Sequence, residues 1–278
     1  MKRHQLIGWG MIITVGIGAI LAWQTYTHTH GDETWKRIQM DGVLRVGMDA
    51  SFPPFEFIAP DGQLTGFEVD LALELGYRLG VEVQFVANLP YDGLYDALSI
   101  GRVDAVLSAL VVNPARMTDF AYSVPYFDAG QVFIIREGEE MPTDAVTALD
   151  SYTLAVEFGS RGDQEARQWV RQFPHLRLLP YQTAQEALEA VADGRADVAL
   201  VDHISALTGI ANGLPLYIVN ASQAIVPEPY AVAVRRDSTA LLRAINDVLT
   251  DMEADNSLDE LRTRWLGVRS RTIEDGEE

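Results

Sequence analysis

Arg116, Asp202, Asp49, Phe52, Tyr91 and the turn Gly159-Ser160-Arg161 are the positions in this 278-residue chain whose residue types bear on chemistry. A planar guanidinium such as that of Arg116 donates two parallel hydrogen bonds to a carboxylate; the bland alternative is a surface arginine at a helix start, where the macrodipole disfavours it. Asp202 follows the apolar run Val198 to Val201. A carboxylate at a strand end in a cleft calls for a cation, or it caps the helical segment starting at Ile204, a contribution of about 1 kcal/mol. Stacked rings hold an aliphatic stem or a planar cation, a role open to Phe52 and Tyr91 unless both are core. The turn 159–161 opens a helix, and a helix N-terminus attracts anions. For catalysis the residues are missing: there is no cysteine, His175 and His203 are the histidines of the globular part, and neither a phosphate-cradling glycine loop nor a metal-spaced cluster appears. No catalytic residue, metal or cofactor is expected.

These side chains must be positioned by alternating strands and helices. Val43-Leu44-Arg45-Val46-Gly47 reads as a first strand. Phe67, Leu71, Leu75 and Leu79 form one face of a helix that stops at Gly80, and Val81 to Val86 alternates as a second strand. A helix from Tyr91 to Ile100 ends at Gly101, before the buried strand Ala105-Val106-Leu107. The pattern then recurs: strand Tyr152 to Val156, a helix through Trp169, strand Leu176 to Leu179, helix Ala184 to Ala192 and strand Val198 to Val201. Gly101-Arg102-Val103-Asp104 is echoed by Gly194-Arg195-Ala196-Asp197. Two similar α/β lobes with parallel sheets follow, and ligands of such sheets bind in the loops after the strand ends, here after Val46, Leu107, Val156 and Val201.

Five phrases stand out, after Val46, after Leu107 and before the C-terminus: Asp49-Ala50-Ser51-Phe52-Pro53-Pro54-Phe55-Glu56-Phe57, Gly66-Phe67-Glu68-Val69-Asp70-Leu71, Ser108 to Arg116, Phe120 to Phe127, and Glu228-Pro229-Tyr230 with the terminal helix ending Trp265-Leu266-Gly267. In that order and spacing the chain, from about Gly42 to Gly267, resembles the family-3 extracellular solute-binding proteins, polar amino acid receptors of ABC importers. The resemblance implies a two-lobe periplasmic-binding-protein-like (type II) fold with a ligand cleft between the lobes. It implies that Arg116 grips the ligand's α-carboxylate, Asp202 pairs with its α-ammonium, and Phe52 and Tyr91 sandwich its side chain. Asp49 matches a position reaching the ligand's distal amide or amine, or else caps its loop. Ser108, Ala109 and Val111 line the phrase that offers a carbonyl and a hydroxyl to the ammonium. Val111 stands where the hydroxyl belongs, a departure that argues against tight ammonium recognition. Ser160 and Arg161 match the turn that caps the carboxylate from the second lobe. Arg161 selects an acidic side chain, pairs with Asp49 across the cleft, or points into solvent.

Hydrophobic residues make up 48% and charged residues 22%, an ordinary globular balance. Forty acidic against 21 basic residues leave a net charge of −19, which repels phosphate backbones and excludes nucleic acid as a partner. Leu6 to Trp23 carries no charge and follows Lys2-Arg3, the pattern of a signal anchor or cleaved signal whose remainder lies outside the membrane. Residues 1–34 are read as this anchor plus a solvated tether from Gln24 to Thr34. Residues 41–128 and 229–267 form lobe one, 133–223 lobe two, and 268–278 a disordered acidic tail. The expected function is extracytoplasmic capture of an amino acid or related organic acid, delivered to an ABC permease. A dehydratase on the same fold and a sensory module are the alternatives.

Overall fold

The computed structural model describes residues 33–141, 146–219 and 224–267. The anchor segment Leu6 to Trp23, most of the tether and the tail 268–278 lie outside the described residues; no helix among the described ones is long and apolar enough to cross a membrane.

The chain begins with α1 (Glu33–Asp41), then β1 (Val43–Gly47), the meander β2 (Ser51–Phe52), β3 (Glu56–Ile58) and β4 (Leu64–Thr65), α2 (Phe67–Leu79), β5 (Glu82–Val86), α3 (Leu94–Ser99), β6 (Ala105–Val106), β7 (Phe120–Tyr122) and β8 (Phe127–Asp128). It continues with β9 (Gln131–Arg136), β10 (Thr153–Glu157), α4 (Arg161–Trp169), β11 (Arg177–Tyr181), α5 (Ala184–Ala192), β12 (Val198–Asp202), α6 (His203–Ala211) and β13 (Leu216–Val219). It returns through β14 (Pro229–Tyr230) and β15 (Ala233–Arg235) to α7 (Thr239–Ala254) and α8 (Ser257–Leu266).

Two five-stranded sheets result, ordered β5-β1-β6-β15-β7 and β11-β10-β12-β9-β13. In each, four strands run the same way and one, β15 or β9, runs against them, so the expectation of parallel sheets is corrected to mixed ones. The reason is the crossover. β8 and β14 pair antiparallel as a ribbon, and the strands that follow them, β9 and β15, run against their neighbours in opposite sheets. Gly130 lies in this crossover because a Cβ there would sit 2.0 Å from the Val226 carbonyl oxygen.

The sequence echo is a structural one. Asp104 accepts the Arg45 N–H of β1 at 3.0 Å, and Asp197 accepts the Thr153 N–H of β10 at 2.7 Å. Arg235, ending β15, donates to the carbonyls of Leu98 and Val103; Arg136, ending β9, donates to those of Val191 and Ala196. Each arginine thus ties the end of a helix to the loop that follows it. The first sheet's core joins β1 and β6 to α1, α2, α7 and α8, with Ile38, Leu71, Leu75, Ile245 and Met252 buried.

Local boundaries differ at three places. Thr34 is not tether: it lies in α1, and its hydroxyl accepts from Arg235 at 2.8 Å. The helix expected over Tyr91 to Ile100 is a 3-10 turn, Tyr91–Gly93, followed by a short α-helix, because two glycine and proline positions crowd its start. The terminal helix is two, broken at Asn256, whose φ of 63° no helix accommodates.

Candidate functional site

The β1–β2 loop and the segment after β6 meet at Ser108. Its hydroxyl accepts the Asp49 N–H at 2.9 Å and donates to Glu56 Oε1 at 2.8 Å. Ser108 is fully buried, with its hydroxyl committed to these two partners beneath the loops. Ala109 follows at φ 44°, a left-handed conformation costly for a residue with a Cβ. Its N–H donates to Glu68 Oε1 at 2.7 Å, and the Tyr126 hydroxyl donates to the same oxygen at 2.5 Å. Val111 is half-buried and bridges Tyr230, and the next N–H, that of Val112, donates to the Pro229 carbonyl at 3.0 Å.

Gly66 makes this arrangement possible. At φ 136° it allows α2 to start against the β2–β3 turn, where a Cβ would lie 2.2 Å from the Phe55 oxygen. The Phe67 and Glu68 N–H groups then donate to Pro54 and Phe55, and Glu68 is brought beside Glu56.

Phe52 rests one face on the buried Phe55, 5.6 Å between centroids at 14°, and is otherwise exposed. Phe55 in turn meets Phe127 and Tyr230 edge to face. Tyr91 is 50% exposed, so neither candidate aromatic is core. Burial raises the Tyr91 phenol above its ordinary value, with added negative potential from Glu68, Glu56 and Glu228. Burial likewise raises Tyr230, with contributions from Glu228, Glu68, Tyr91 and Asp202. Both phenols therefore share one acidic neighbourhood. Arg116 is exposed and stacks over the Tyr95 ring at 4.9 Å from its centroid. The Tyr95 hydroxyl contacts that of Tyr122 at 2.7 Å.

From the second sheet, Ser160 caps α4 by accepting the Asp163 N–H at 3.0 Å, and Asp163 accepts the Gly159 N–H at 3.0 Å. This double cap fixes the turn and leaves the remaining first-turn N–H groups open to an anion. Arg161 does not pair with Asp49. Its Nη1 lies 3.5 Å from both Glu228 Oε2 and the Pro227 carbonyl on the returning crossover. Asp202 caps α6 by accepting the Ser205 N–H on Oδ1 at 2.8 Å, so the capping reading holds, and Oδ2 has no protein partner among the described residues. His203 faces away from the cleft: its Nδ1 contacts the Asp128 carbonyl at 2.9 Å and its ring stacks on Phe127.

Sequence reasoning missed Glu56, Glu68, Glu228 and Tyr230. The first two carried a signal: each follows a phenylalanine, and Glu68 shares a helical stripe with Leu71, Ala72 and Leu75, which marks burial. Glu228 carried none, because its partner lies 67 residues away.

Among the described residues no group of histidine, cysteine, aspartate and glutamate is arranged to hold a metal. The arrangement can bind a small zwitterion: guanidinium and helix N-terminus for an anion, Asp202 for a cation, and two exposed rings for the remainder.

Many known proteins are similar in sequence and fold. The L-cystine-binding protein TcyJ of Escherichia coli (strain K12) is 29% identical over 232 residues, covering 84% of this chain and 85% of that protein. An ancestral cationic amino acid solute binding protein is 31% identical with a TM-score of 0.59, covering 84% of this chain and all of that one. An ancestral cyclohexadienyl dehydratase is 26% identical with a TM-score of 0.74, covering 85% of this chain and 97% of that one. Residues 44–268 match the sequence pattern of one family across both sheets and the crossover, and on that ground the chain belongs to the bacterial extracellular solute-binding proteins, family 3.

Proposed function

We propose that this solute-binding protein captures an α-amino acid with a cationic side chain by hinge closure and delivers it to an ABC-type permease outside the cytoplasm. Residues 41–128 and 229–267 act as lobe one and 133–223 as lobe two, with Leu6 to Trp23 as the membrane anchor, a role its charge-free run behind Lys2-Arg3 supports.

Arg116, Phe52 and Tyr91 seat the ligand's carboxylate and side chain on lobe one. Ser160, Arg161 and Asp202 engage it from lobe two, so binding shifts the population toward closure. Ala109 and Val111 form the wall beside the ammonium, and Asp202 supplies the acceptor that Val111 lacks.

The observation that carries the side-chain assignment is the Arg161–Glu228 pair. It matches Arg161 with an acid of the protein, so Arg161 is not held ready for an acidic ligand. Asp49 has no ion-pair partner among the described residues, and Asp202 adds a second carboxylate to the same cleft. An acidic cleft of this kind favours a ligand with net positive charge. The 31% identity to a cationic amino acid solute binding protein supports the same reading.

The test is thermal unfolding of the full chain with L-arginine, L-lysine, L-glutamine, L-cystine and L-glutamate. A ligand at 100 times its dissociation constant stabilises by about 2.7 kcal/mol. Shifts with L-arginine or L-lysine and none with L-glutamate are expected; a shift with L-glutamate or L-cystine alone overturns the cationic assignment.

A further inference from the structure

Glu56 and Glu68 are 1% and 0% exposed, and each has one oxygen, Oε2, that is buried with no donor. The other oxygens are fully occupied: Glu56 Oε1 by the Ser108 hydroxyl, Glu68 Oε1 by the Ala109 N–H and the Tyr126 hydroxyl. The two carboxyl groups are held side by side, Glu56 on Ser108 and Glu68 on the next residue, Ala109. No arginine, lysine or histidine forms an ion pair with either among the described residues. Two buried carboxylates cannot meet head-on without a cation or a proton between them.

We propose that Glu56 and Glu68 share a single proton in a buried carboxyl–carboxylate bond, and that this bond is the positioning element that holds Ser108 and Ala109 in place beneath the ligand. The pair then carries one negative charge. The proton lies between the two Oε2 atoms, which leaves both Oε1 atoms free to accept from the 108–109 segment. Glu68 holds the strained Ala109 through its N–H. Glu56 holds Ser108, and through that hydroxyl the Asp49 N–H, so both loops that frame the cleft end on one pair.

The titratable groups near the pair are acidic or phenolic: Asp49 after β1, Tyr126 before β8, Tyr91 before α3 and Tyr230 in β14. Burial, followed by the charge of the neighbouring carboxyl, raises Glu56 to about 11, which agrees with a retained proton. Burial raises Glu68 as well.

The proton itself is independent of which ligand the cleft takes; only the affinity measurement below rests on the amino acid reading. Infrared spectroscopy of the full chain at pH 8 should show a protonated carboxylic C=O band with the amplitude of one group per chain, absent from the Glu56→Gln/Glu68→Gln double variant. Backbone amide exchange at Asp49 and Ala109 should be about ten-fold faster in Glu56→Ala, with protection rescued in Glu56→Gln, whose amide N–H replaces the shared proton. Affinity for L-arginine, measured by calorimetry, should fall and be rescued in the same order. Absence of the band in the wild type, its persistence in the double variant, or equal exchange in all three proteins overturns the proposal. Failure of L-arginine to bind the wild type, with band and exchange as expected, overturns the ligand assignment and leaves the proton pair standing.

Discussion

Arg161, the first residue of α4, reaches across to Glu228 on the returning crossover, Nη1 to Oε2 at 3.5 Å. One end of the pair belongs to the start of α4, the other to the connection that returns the chain from the second sheet to the first. Both side chains are substantially exposed, 53% and 32%, so the pair contributes little to stability, about 0.5 kcal/mol. Its consequence is for ligand charge.

Replacing Arg161 by alanine removes a positive charge from the cleft and frees Glu228. Arg161→Ala should tighten binding of L-arginine relative to L-glutamine by about three- to ten-fold, an effect of roughly 1 kcal/mol. Calorimetry on both ligands checks this, and an unchanged ratio contradicts it. Thermal stability should move by less than about 1 kcal/mol.

Arg116 touches the rest of the protein through the face of Tyr95. An exposed cation–π contact is worth about 0.5–1 kcal/mol, so Arg116→Ala should unfold almost like the parent chain. Loss of a bidentate carboxylate clamp should weaken amino acid binding by at least about 100-fold. Circular dichroism melting together with calorimetry separates the two effects; retained affinity refutes the clamp.

The buried acid pair has a signature in stability. Glu56 is raised from an ordinary 4.5 to about 11, with burial the leading cause and the Glu68 charge next. The folded state therefore holds a proton that the unfolded chain releases above pH 4.5. This contribution is fully present below that value and is lost as pH rises toward 11. Its slope is at most about 1.4 kcal/mol per pH unit. Glu56→Gln has no such proton, so its unfolding free energy should depend less on pH between about 6 and 9 than that of the wild type. Denaturant titrations at several pH values measure the difference, and parallel curves exclude it.

His203 acts with the opposite sign. Its Nδ1–H donates to the Asp128 carbonyl, while Nε2 is buried without a partner, so protonation would bury an N–H with nothing to accept it. Burial accordingly lowers it below its ordinary 6.5, against smaller opposing contributions from Asp128 and Asp202. The unfolded chain takes up a proton that the folded one refuses, so stability contributed above pH 6.5 is lost as pH falls below it. His203→Asn, whose amide supplies the same donor, should flatten the pH dependence below 6.5. An unaltered profile in equilibrium unfolding rules this out.

Much of the fold was legible because it is local. The apolar stripe of α2, its stop at Gly80 with φ 70°, and the parallel strands β1, β5, β10, β11 and β12 follow from periodicity and caps that a few neighbouring residues decide. The repeated Gly-Arg-x-Asp phrase already carried the likeness of the two sheets, since Asp104 and Asp197 perform the same task on β1 and β10. The candidate residues Asp49, Phe52, Tyr91, Arg116, Arg161 and Asp202 were nominated by their types and by the family resemblance that the phrases carry.

What only the tertiary structure decided are relations between residues far apart in the chain. That the Ser108 hydroxyl is held in the interior depends on Glu56, 52 residues earlier. Arg161 reads as a selector of acidic side chains, a partner for Asp49 or a solvent-facing cation, and only the crossover brings Glu228 to it. Glu56 and Glu68 are ordinary acids in sequence, and become one proton-sharing group in our reading because Gly66 lets α2 start directly against Phe55. Spacing along a chain encodes periodic burial, whereas charge pairing depends on which loops meet at the ends of the strands, and that meeting is set by how the crossover returns the chain.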